Sequence, residues 1–354
     1  MNQKIFICPL DWGLGHATRV VPIIDYYLVR GDQVIVGGNG TSFKFLKDRF
    51  PQLTFERVPG YEVSYSKYLG FALKMLLSLP IIYRGIKKEE KRVIELNKQH
   101  HFDLIISDNR FGVRVKGVRS LFMTHQLNIS FPTFEKIIFK VQKKLIEKFD
   151  GCLVPDFAKK EKLAGSLSIL KSDQELEIPV HYLGALSRFY NTEVTEQKIK
   201  YKYVAVISGP EPHKKGLTDF LIEEFKKSKD SLAIVTYDYY VKGDLPSNIN
   251  LFLDCSDKQF LEVVSQSETM IARSGYTTLM DLIYLKKKAF FIPTPGQSEQ
   301  IYLAQYSAQK GWANYCLQQE FSIDKISHDE LNFNNGFPSV NSTLETVLGD
   351  ISDQ

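Results

Sequence analysis

The feature that most constrains this sequence is an alternation of short apolar runs with longer amphipathic segments, which continues along most of the chain. The runs are rich in β-branched and aromatic residues and end in turn residues, as buried strands do. Strands that alternate with helices in this way predict an α/β fold built on parallel sheets. The predicted strands are Lys4–Cys8, Gln33–Val36, Thr54–Val58, Leu104–Ser107, Ser120–Thr124, Gly151–Val154, Val180–Leu183, Tyr203–Ile207, Leu232–Thr236, Ile249–Phe252, Thr269–Ala272, Ala289–Ile292 and Ala313–Tyr315.

A polar stretch without clear periodicity divides this alternation into two arrays. The chain has 354 residues, which is more than one ordinary hydrophobic core serves. We therefore predict a Rossmann-like domain over residues 1–185, a linker over 186–202, a second Rossmann-like domain over 203–340, and a C-terminal tail or helix over 341–354 that could pack on either domain. Two such domains would face each other across a cleft. Ligands of open α/β sheets bind beyond the carboxyl ends of the strands, so the loops that follow strands are the candidate sites.

Composition excludes several classes of protein. With 44% hydrophobic and 24% charged residues, the chain is typical of globular proteins. A net charge of +4, with no basic module rich in stacking aromatics, argues against a nucleic-acid partner. The four cysteines are far apart with no C-x-x-C pair, which argues against a disulfide framework or a structural zinc site and suits a reducing cytoplasm.

The sequence predicts no membrane-spanning helix. The N-terminus enters a strand at once, without an export-signal pattern. The longest apolar stretch, residues 69–82, is interrupted by Lys74 and Pro80 and is shorter than the roughly 20 residues of a spanning helix. Residues 68–92 join this stretch to basic residues, which is typical of a helix lying on an anionic bilayer. The alternative, which we prefer for the similar residues 131–149, is an amphipathic helix that covers a sheet.

The loop after the first predicted strand contains Gly13, Gly15 and His16. It is not a dinucleotide fingerprint, because Thr18 stands where the third glycine would be and the second strand is followed by no ribose-binding carboxylate. An imidazole at the first turn of a helix could accept a proton from a substrate hydroxyl, and the neighbouring Asp11 could do the same. The alternative is that His16 and Asp11 only cap the helix.

Three loops of the second array could hold a phosphorylated ligand. Ser208 and Gly209 lie in a strand-to-helix turn followed by Lys214 and Lys215, although an ordinary tight turn is the simpler interpretation of this loop. In the next loop, a strand ends at Arg273 and a helix opens, an arrangement suited to a diphosphate. The residues of this and the following loop that could contact a nucleotide sugar are Ser274, Gly275, Thr277, Asp281, Glu299 and Gln300; for Asp281 the alternative is a plain surface carboxylate.

In combination, these motifs resemble a known family. Gly-Leu-Gly-His at 13–16, Arg-Ser-Gly-Tyr-Thr-Thr-Leu-Met-Asp at 273–281 and Ile-Pro-Thr-Pro-Gly-Gln-Ser-Glu-Gln at 292–300 are similar to the GT-B glycosyltransferases. The most similar group contains the N-acetylglucosaminyltransferase of peptidoglycan lipid-intermediate synthesis and the diacylglycerol glycosyltransferases.

The resemblance implies roles for the matching residues. The second domain would hold a nucleotide-sugar donor, with Ser208, Gly209 and residues 273–275 at the diphosphate and Asp281 at the ribose. Gln300 matches one of the paired glutamines that hold the donor sugar in the peptidoglycan enzyme, while Ile301 replaces the other. On the acceptor side, the resemblance and the strand ends indicate Gly13, Gly15, Asp108, His125 and Gln126.

The resemblance also implies a mechanism. It is a single inverting displacement, in which a base takes the proton of the acceptor hydroxyl, without a metal ion or cofactor. His16 is the first choice of base; Asp11, Asp108 and His125 are alternatives. The expected protein is a hexosyltransferase that uses a nucleotide sugar, a UDP-sugar first, and an acceptor that could be lipid-linked, at the inner face of the cytoplasmic membrane. Two alternatives stay open: a nucleotide-sugar 2-epimerase of the same architecture, and a non-catalytic nucleotide-sugar-binding protein.

Overall fold

The chain forms two compact units. A computed structural model describes residues 2–60, 71–128, 135–158, 162–171, 174–193, 197–241, 243–328 and 343–353. The first unit comprises Met1–Leu186 and Asn341–Gln354, and the second comprises Ser187–Val340. The division therefore falls at the start of the segment predicted to be a linker.

The first unit is built on a seven-stranded parallel sheet with the strand order β3-β2-β1-β4-β5-β6-β7. Its strands are β1 (Lys4–Pro9), β2 (Gln33–Gly38), β3 (Thr54–Arg57), β4 (Leu104–Asp108), β5 (Arg119–Met123), β6 (Gly151–Val154) and β7 (Val180–Tyr182). Its helices are α1 (Leu14–Val29), α2 (Gly40–Arg49), α3 (Phe71–His100) and α4 (Glu135–Ile146), with a 3-10 helix at Gly165–Ser168.

The second unit repeats the plan with a six-stranded parallel sheet, whose strand order is β10-β9-β8-β11-β12-β13. Its strands are β8 (Tyr201–Val206), β9 (Leu232–Thr236), β10 (Ile249–Leu253), β11 (Ser267–Ala272), β12 (Lys288–Phe291) and β13 (Asn314–Tyr315). The helices are α5 (His213–Phe225), α6 (Asp257–Ser265), α7 (Tyr276–Leu285), α8 (Ser298–Gln309) and α9 (Ile323–His328), with a 3-10 helix at Gln318–Glu320.

The prediction of an α/β fold is confirmed, and each predicted strand overlaps a strand of the structure. The central strand β1 shows why the pattern was readable: Ile5, Phe6, Ile7 and Cys8 are all fully buried. A parallel sheet is covered on both faces, so its inner strands are continuous apolar runs rather than alternating ones. Several strand bounds in the structure differ from the predicted ones by one or two residues. For example, β8 begins at Tyr201 because Tyr201 pairs with Ser267 of β11.

The first part of the predicted linker over 186–202 packs into the second unit. Ser187 and Phe189 are buried, and the Phe189 ring stacks on Phe260 with 5.2 Å between ring centroids. The polar composition of this segment concealed one aromatic anchor and one buried hydroxyl. Residues 194–196 lie outside the described part of the chain.

The C-terminal segment forms helix α10 (Thr343–Asp353), which belongs to the first unit. Gln3 Nε2 donates a hydrogen bond to the carbonyl of Ser352 at 3.2 Å, and Arg119 donates one to the carbonyl of Ile351. The sequence left open which domain this helix would pack on, because its apolar face suits either sheet.

A fully buried ion pair ties α3 to the loop after β4. Arg110 Nε donates to Glu89 Oε1 at 2.8 Å, and neither side chain is exposed to solvent. The other carboxylate oxygen of Glu89 accepts a hydrogen bond from the backbone N–H of Gly112 at 3.0 Å. The Arg110 Nη atoms lie by the carbonyls of Pro9, Val58 and Pro59, so this one side chain links the ends of β1, β3 and β4.

Candidate active site

The first unit has a topological switch point between β1 and β4. These neighbours are paired through Pro9 and Asp108 at their carboxyl ends, while the chain leaves β1 toward β2 and leaves β4 toward β5. Such a point is where open α/β sheets bind ligands. His16 lies in the first turn of α1, directly after β1, and Asp108 is the last residue of β4.

His16 and Asp108 are in contact at this point. His16 Nδ1 lies 2.9 Å from Asp108 Oδ2. The Asp108 side chain is fully buried, whereas the His16 side chain keeps 15% of its surface exposed. In the part of the chain that the structure describes, Nε2 of His16 has no hydrogen-bond partner. The structure thus brings together two residues that the sequence had named separately.

Arg19, which sequence reasoning missed, completes this contact. Arg19 Nε donates to Asp108 Oδ2 at 3.0 Å, Arg19 Nη2 binds Asp108 Oδ1, and the same Nη2 lies 2.8 Å from His16 Nδ1. Arg19 stands three residues after His16 in α1, a spacing that places both side chains on one face of the helix. This spacing is the feature of the sequence that could have indicated Arg19.

The predicted acceptor-side loop supplies a second histidine. His125, two residues after β5, is 6% exposed, and its Nδ1 lies 3.3 Å from Arg19 Nη1. Gln126 is held by its backbone: its N–H donates to Thr124 Oγ1 at 3.1 Å, and its carbonyl accepts from Gln142 Nε2 at 2.6 Å. The structure therefore places His125 beside His16, Arg19 and Asp108, and we call these four residues the cluster.

Burial and charge set the protonation states of the cluster. Burial lowers the pKa of His16, and the charge of Arg19 lowers it further, although Asp108 acts in the opposite direction. Burial alone would raise the pKa of Asp108, but Arg19 and His16 together bring it below its ordinary value. At neutral pH the site therefore holds an ionised Asp108 and an uncharged imidazole.

Asp11, the other predicted catalytic residue, serves a different helix. Its Oδ1 accepts a hydrogen bond from the backbone N–H of Ser42 at 3.2 Å, in the first turn of α2. A carboxylate at this position satisfies free N–H groups and interacts favourably with the helix dipole. Burial nevertheless raises the pKa of Asp11. The alternative to a catalytic role was that Asp11 caps α1; in the structure its carboxylate instead binds a backbone N–H of α2.

The two glycines of the first loop shape the entry to α1. Gly13 precedes the helix with a φ of 90°, a left-handed conformation that favours glycine, and its carbonyl accepts a hydrogen bond from Ser42 Oγ at 3.0 Å. Gly15 is in the first turn, and its carbonyl accepts from Thr18 Oγ1 at 3.2 Å. Their positions explain how His16 follows the strand so closely.

The second unit has its own switch point, between β8 and β11, which are paired through Val206 and Ala272. Ser208 and Gly209 follow β8, and Gly275 is the residue before helix α7, whose first turn contains Thr277. Ser208 is exposed and Gly209 has a φ of 109°. The predicted diphosphate residues therefore do follow two neighbouring strands.

Lys214, predicted as a possible phosphate ligand, is turned inward. Its Nζ donates to the carbonyls of Tyr237 and Asp238 at 2.8 and 3.1 Å, and it lies 4.1 Å from the centroid of the Tyr237 ring. Lys215 instead pairs with Asp219 at 2.6 Å.

Arg273 also differs from its prediction. Its Nη1 donates to the carbonyls of Ile292 and Pro293 at 2.9 and 3.1 Å, and its Nη2 donates to Gln318 Oε1 at 2.9 Å. Burial lowers the pKa of this guanidinium to about 10. Arg273 therefore joins the loops after β11, β12 and β13, and in this conformation those hydrogen bonds keep its Nη atoms from a diphosphate.

The α8 start is joined to the same loops. Ser274 Oγ donates to the carbonyl of Gln300 at 2.7 Å, and the N–H of Thr294 donates to Gln300 Oε1 at 2.8 Å. Glu299 lies beside Gln300 in the first turn of α8. Gln300 thus supports the loop through its side-chain oxygen, which the sequence had assigned to the donor sugar.

Asp281, the predicted ribose ligand, lies in the middle of α7. Its Oδ1 accepts a hydrogen bond from Ser187 Oγ at 2.5 Å. Burial raises the pKa of Asp281 to about 6, although the charge of Arg188 and the Ser187 hydroxyl oppose the increase. Asp281 is ionised above that pH and can then accept hydroxyl hydrogen bonds.

Two further features bear on ligands. The described residues contain no cluster of three or more His, Cys, Asp or Glu side chains that could hold a metal ion. A cavity of about 740 Å³ in the second unit is lined by residues that include Phe290, Ile301, Tyr315 and Glu320. It lies beside the edge strand β13, and its lining shares Ile301 with the segment that the resemblance assigns to the donor sugar.

Comparisons with known proteins agree with this architecture. Residues 255–336 match the glycosyltransferase family 28 C-terminal domain. An uncharacterized glycosyltransferase of Methanopyrus kandleri is 22% identical over 336 residues, which cover 89% of this chain and 90% of that protein.

Two solved structures show the same fold over nearly the full length. MurG of Acinetobacter baumannii has a TM-score of 0.60 and 14% identity, with 100% of each chain covered. The spinosyn rhamnosyltransferase SpnG complexed with thymidine diphosphate has a TM-score of 0.60 and 12% identity, with 99% of this chain and 92% of that chain covered. The resemblance that the motifs indicated is confirmed: this chain has the GT-B glycosyltransferase fold, and residues 255–336 of its second unit match the glycosyltransferase family 28 C-terminal domain.

Proposed function

We propose that this protein is an inverting, metal-independent glycosyltransferase that moves a hexosyl group from a nucleoside-diphosphate sugar to a hydroxyl acceptor. The observation that carries the proposal is the contact between His16 Nδ1 and Asp108 Oδ2 at the switch point of the first unit. A histidine whose Nδ1–H donates to a buried carboxylate keeps Nε2 free as a general base.

The proton would follow this geometry. His16 Nε2 takes the proton of the acceptor hydroxyl while the oxygen attacks the anomeric carbon of the sugar. The bond from that carbon to the diphosphate oxygen breaks, and its electron pair leaves with the nucleoside diphosphate. Asp108 stabilises the imidazolium that forms, as the carboxylate of a catalytic triad does.

The second unit would hold the donor at the start of α7 and at the Ser208–Gly209 turn. The first turn of a helix offers free N–H groups and the positive end of the helix dipole to an anion. A solved neighbour binds thymidine diphosphate, which supports a nucleoside diphosphate as the ligand. We propose UDP as the first nucleotide to test, and Asp281 as the acceptor of the ribose hydroxyl hydrogen bonds.

Gly275 offers a direct test of the donor site. A methyl group added at Gly275 would meet no atom closer than 3.8 Å, so the fold should tolerate Gly275→Ala. The methyl group would nevertheless lie at the start of α7, where we propose that the diphosphate binds. We expect UDP at 100 times its Kd to stabilise the wild-type protein by about 2.7 kcal/mol. In Gly275→Ala this stabilisation should be largely lost.

The measurement is thermal unfolding with UDP, dTDP, GDP and NAD. Gly216→Ala is the matched control, because a methyl group there meets no atom within 4 Å and Gly216 lies within α5. Full stabilisation of Gly275→Ala by the same nucleotide would place the diphosphate elsewhere. Stabilisation by none of the nucleotides would argue against a donor site in this unit.

We also propose contact with an anionic membrane through α3, in keeping with a lipid-linked acceptor. No helix within the described ranges is long and apolar enough to cross a bilayer. The exposed side chains of α3 include Ile81 and Tyr83, which are 49% and 61% exposed, and the basic residues Lys88 and Lys91. Residues 61–70, which include the start of the predicted membrane segment, lie outside the described part of the chain.

Vesicle binding tests this surface. Each basic residue near an anionic bilayer contributes about 1 kcal/mol, so Lys88→Gln with Lys91→Gln should weaken binding to phosphatidylserine vesicles roughly 30-fold. The control is Lys226→Gln with Lys227→Gln, which removes the same charge from exposed positions of the second unit. Equal losses in both double variants, or equal binding of the wild type to neutral vesicles, would contradict a specific α3 contact.

A further inference from the structure

Arg19 is a buried cation whose bonds differ from those of the other two buried arginines described above. The hydrogen bonds of Arg110 and Arg273 go largely to backbone carbonyls, so these side chains join segments of the chain. Arg19 is 2% exposed, and within the described residues its side-chain contacts are to Asp108, His16 and His125. A buried guanidinium costs several kcal/mol of desolvation, and here it serves only ionisable groups.

His16 Nδ1 has two competing neighbours in this arrangement. Asp108 Oδ2 at 2.9 Å can only accept a hydrogen bond, whereas Arg19 Nη2 at 2.8 Å can only donate one. Nδ1 therefore carries its hydrogen when it bonds Asp108 and lacks it when it bonds Arg19. Because Nη2 also binds Asp108 Oδ1, the carboxylate satisfies Arg19 and leaves Nδ1–H to donate to Oδ2.

We infer that Arg19 is a positioning residue for the base: its guanidinium holds the Asp108 carboxylate against His16 Nδ1 and places a positive charge beside the imidazole, so that Nδ1 carries the hydrogen and Nε2 is ready to accept a proton. The inference deepens the proposed function and rests on it only for its kinetic part. The protonation state of His16 can be measured without any substrate.

Among the described residues, the charged and titratable groups that face His16 come from three elements: Arg19 from α1, Asp108 from β4 and His125 from the loop after β5. Asp108 favours the imidazolium, whereas Arg19 and His125 disfavour it, and burial also disfavours it. When the Arg19 charge is removed, the stabilisation of the imidazolium by Asp108 is opposed less strongly. The pKa of His16 must then rise, and the imidazole becomes protonated at a higher pH.

The test is an NMR titration of the ligand-free full chain labelled with ¹⁵N and ¹³C at histidine. His16 of the wild type should titrate below its ordinary value of 6.5 and show Nδ1 as the protonated nitrogen of the neutral ring. In Arg19→Met the midpoint should rise by about 1 pH unit or more. Arg19→Lys keeps the positive charge but loses the paired N–H donors of the guanidinium, so the rise of the midpoint should be smaller.

Arg30→Met is the control, because Arg30 is the C-terminal cap residue of the same helix and pairs with Asp32 rather than with the cluster. An unchanged His16 midpoint in folded Arg19→Met or Arg19→Lys overturns the inference. If neither variant folds, the wild-type titration decides: a midpoint at or above 6.5 overturns it.

The kinetic readout separates this inference from the function. The acid limb of the pH profile of kcat/KM should move upward by the same amount as the NMR midpoint. If the midpoint moves but no protein transfers sugar, Arg19 positions His16 and the proposed function is wrong. If sugar is transferred and neither the limb nor the midpoint moves, the function stands and the role of Arg19 is wrong.

Discussion

Replacing His16 by asparagine is expected to lower kcat/KM for sugar transfer by a factor of about 10²–10⁴, the usual contribution of a general base. Asparagine keeps polar atoms beside Asp108 and Arg19, which lie 2.9 and 2.8 Å from His16 Nδ1, but it cannot take a proton at neutral pH. The fold should survive because the side chain is partly exposed and lies at the start of α1.

The decisive comparison is between transfer rate and donor binding in the same variant. Nucleotide affinity should stay within a few-fold of the wild type, because the residues that we propose for the donor belong to the other unit. His101→Asn is the control: His101 is exposed, and its φ of 58° is a conformation that asparagine tolerates. If His16→Asn kept most of its activity, the base would be Asp108 or His125 instead of His16.

The second large effect is on stability. Glu89→Gln should lower the free energy of unfolding of the first unit by about 3–5 kcal/mol, because it leaves the charge of Arg110 buried without its partner. Both side chains have no exposed surface, and the pair holds α3 against the ends of three strands. The effect should appear as a lower urea concentration at the midpoint of unfolding.

Glu90→Gln provides the matched control at the next position of α3. Glu90 pairs with Lys87 at 2.7 Å and Arg114 at 2.9 Å on a partly exposed surface, where an ion pair contributes about 0–1 kcal/mol. Because two units can unfold separately, tryptophan fluorescence should be followed together with circular dichroism. Equal small losses for Glu89→Gln and Glu90→Gln would contradict the structural role assigned to the buried pair.

The fold and the place of the site could be predicted because both depend on local patterns. Continuous apolar runs such as Ile5–Cys8 mark inner strands of a parallel sheet wherever they occur. Strand ends then indicate where side chains converge, which is why His16 and Asp108 were named although 91 residues separate them in the sequence. The motif order added the glycosyltransferase resemblance.

The partners of individual side chains could not be predicted, since they depend on contacts between distant segments. Arg273 follows a strand as the diphosphate role requires, yet the nearby carbonyls after β12 attract its guanidinium inward. Asp11 lies only five residues before His16 in the sequence, yet its carboxylate binds the start of α2. Arg19 was overlooked because its spacing from His16 indicates a shared helix face but does not reveal the Asp108 carboxylate that both side chains contact.

The most direct test of the central claim is product analysis by NMR. The protein is incubated with UDP-glucose, UDP-galactose or UDP-N-acetylglucosamine and with diacylglycerol or other hydroxyl acceptors presented in vesicles. A glycosyltransferase must release one nucleoside diphosphate for each glycoside formed, and we predict that the glycoside has the anomeric configuration opposite to that of the donor. Donor that stays intact with every acceptor would indicate a non-catalytic binding protein, and release of the 2-epimer of the sugar would indicate an epimerase.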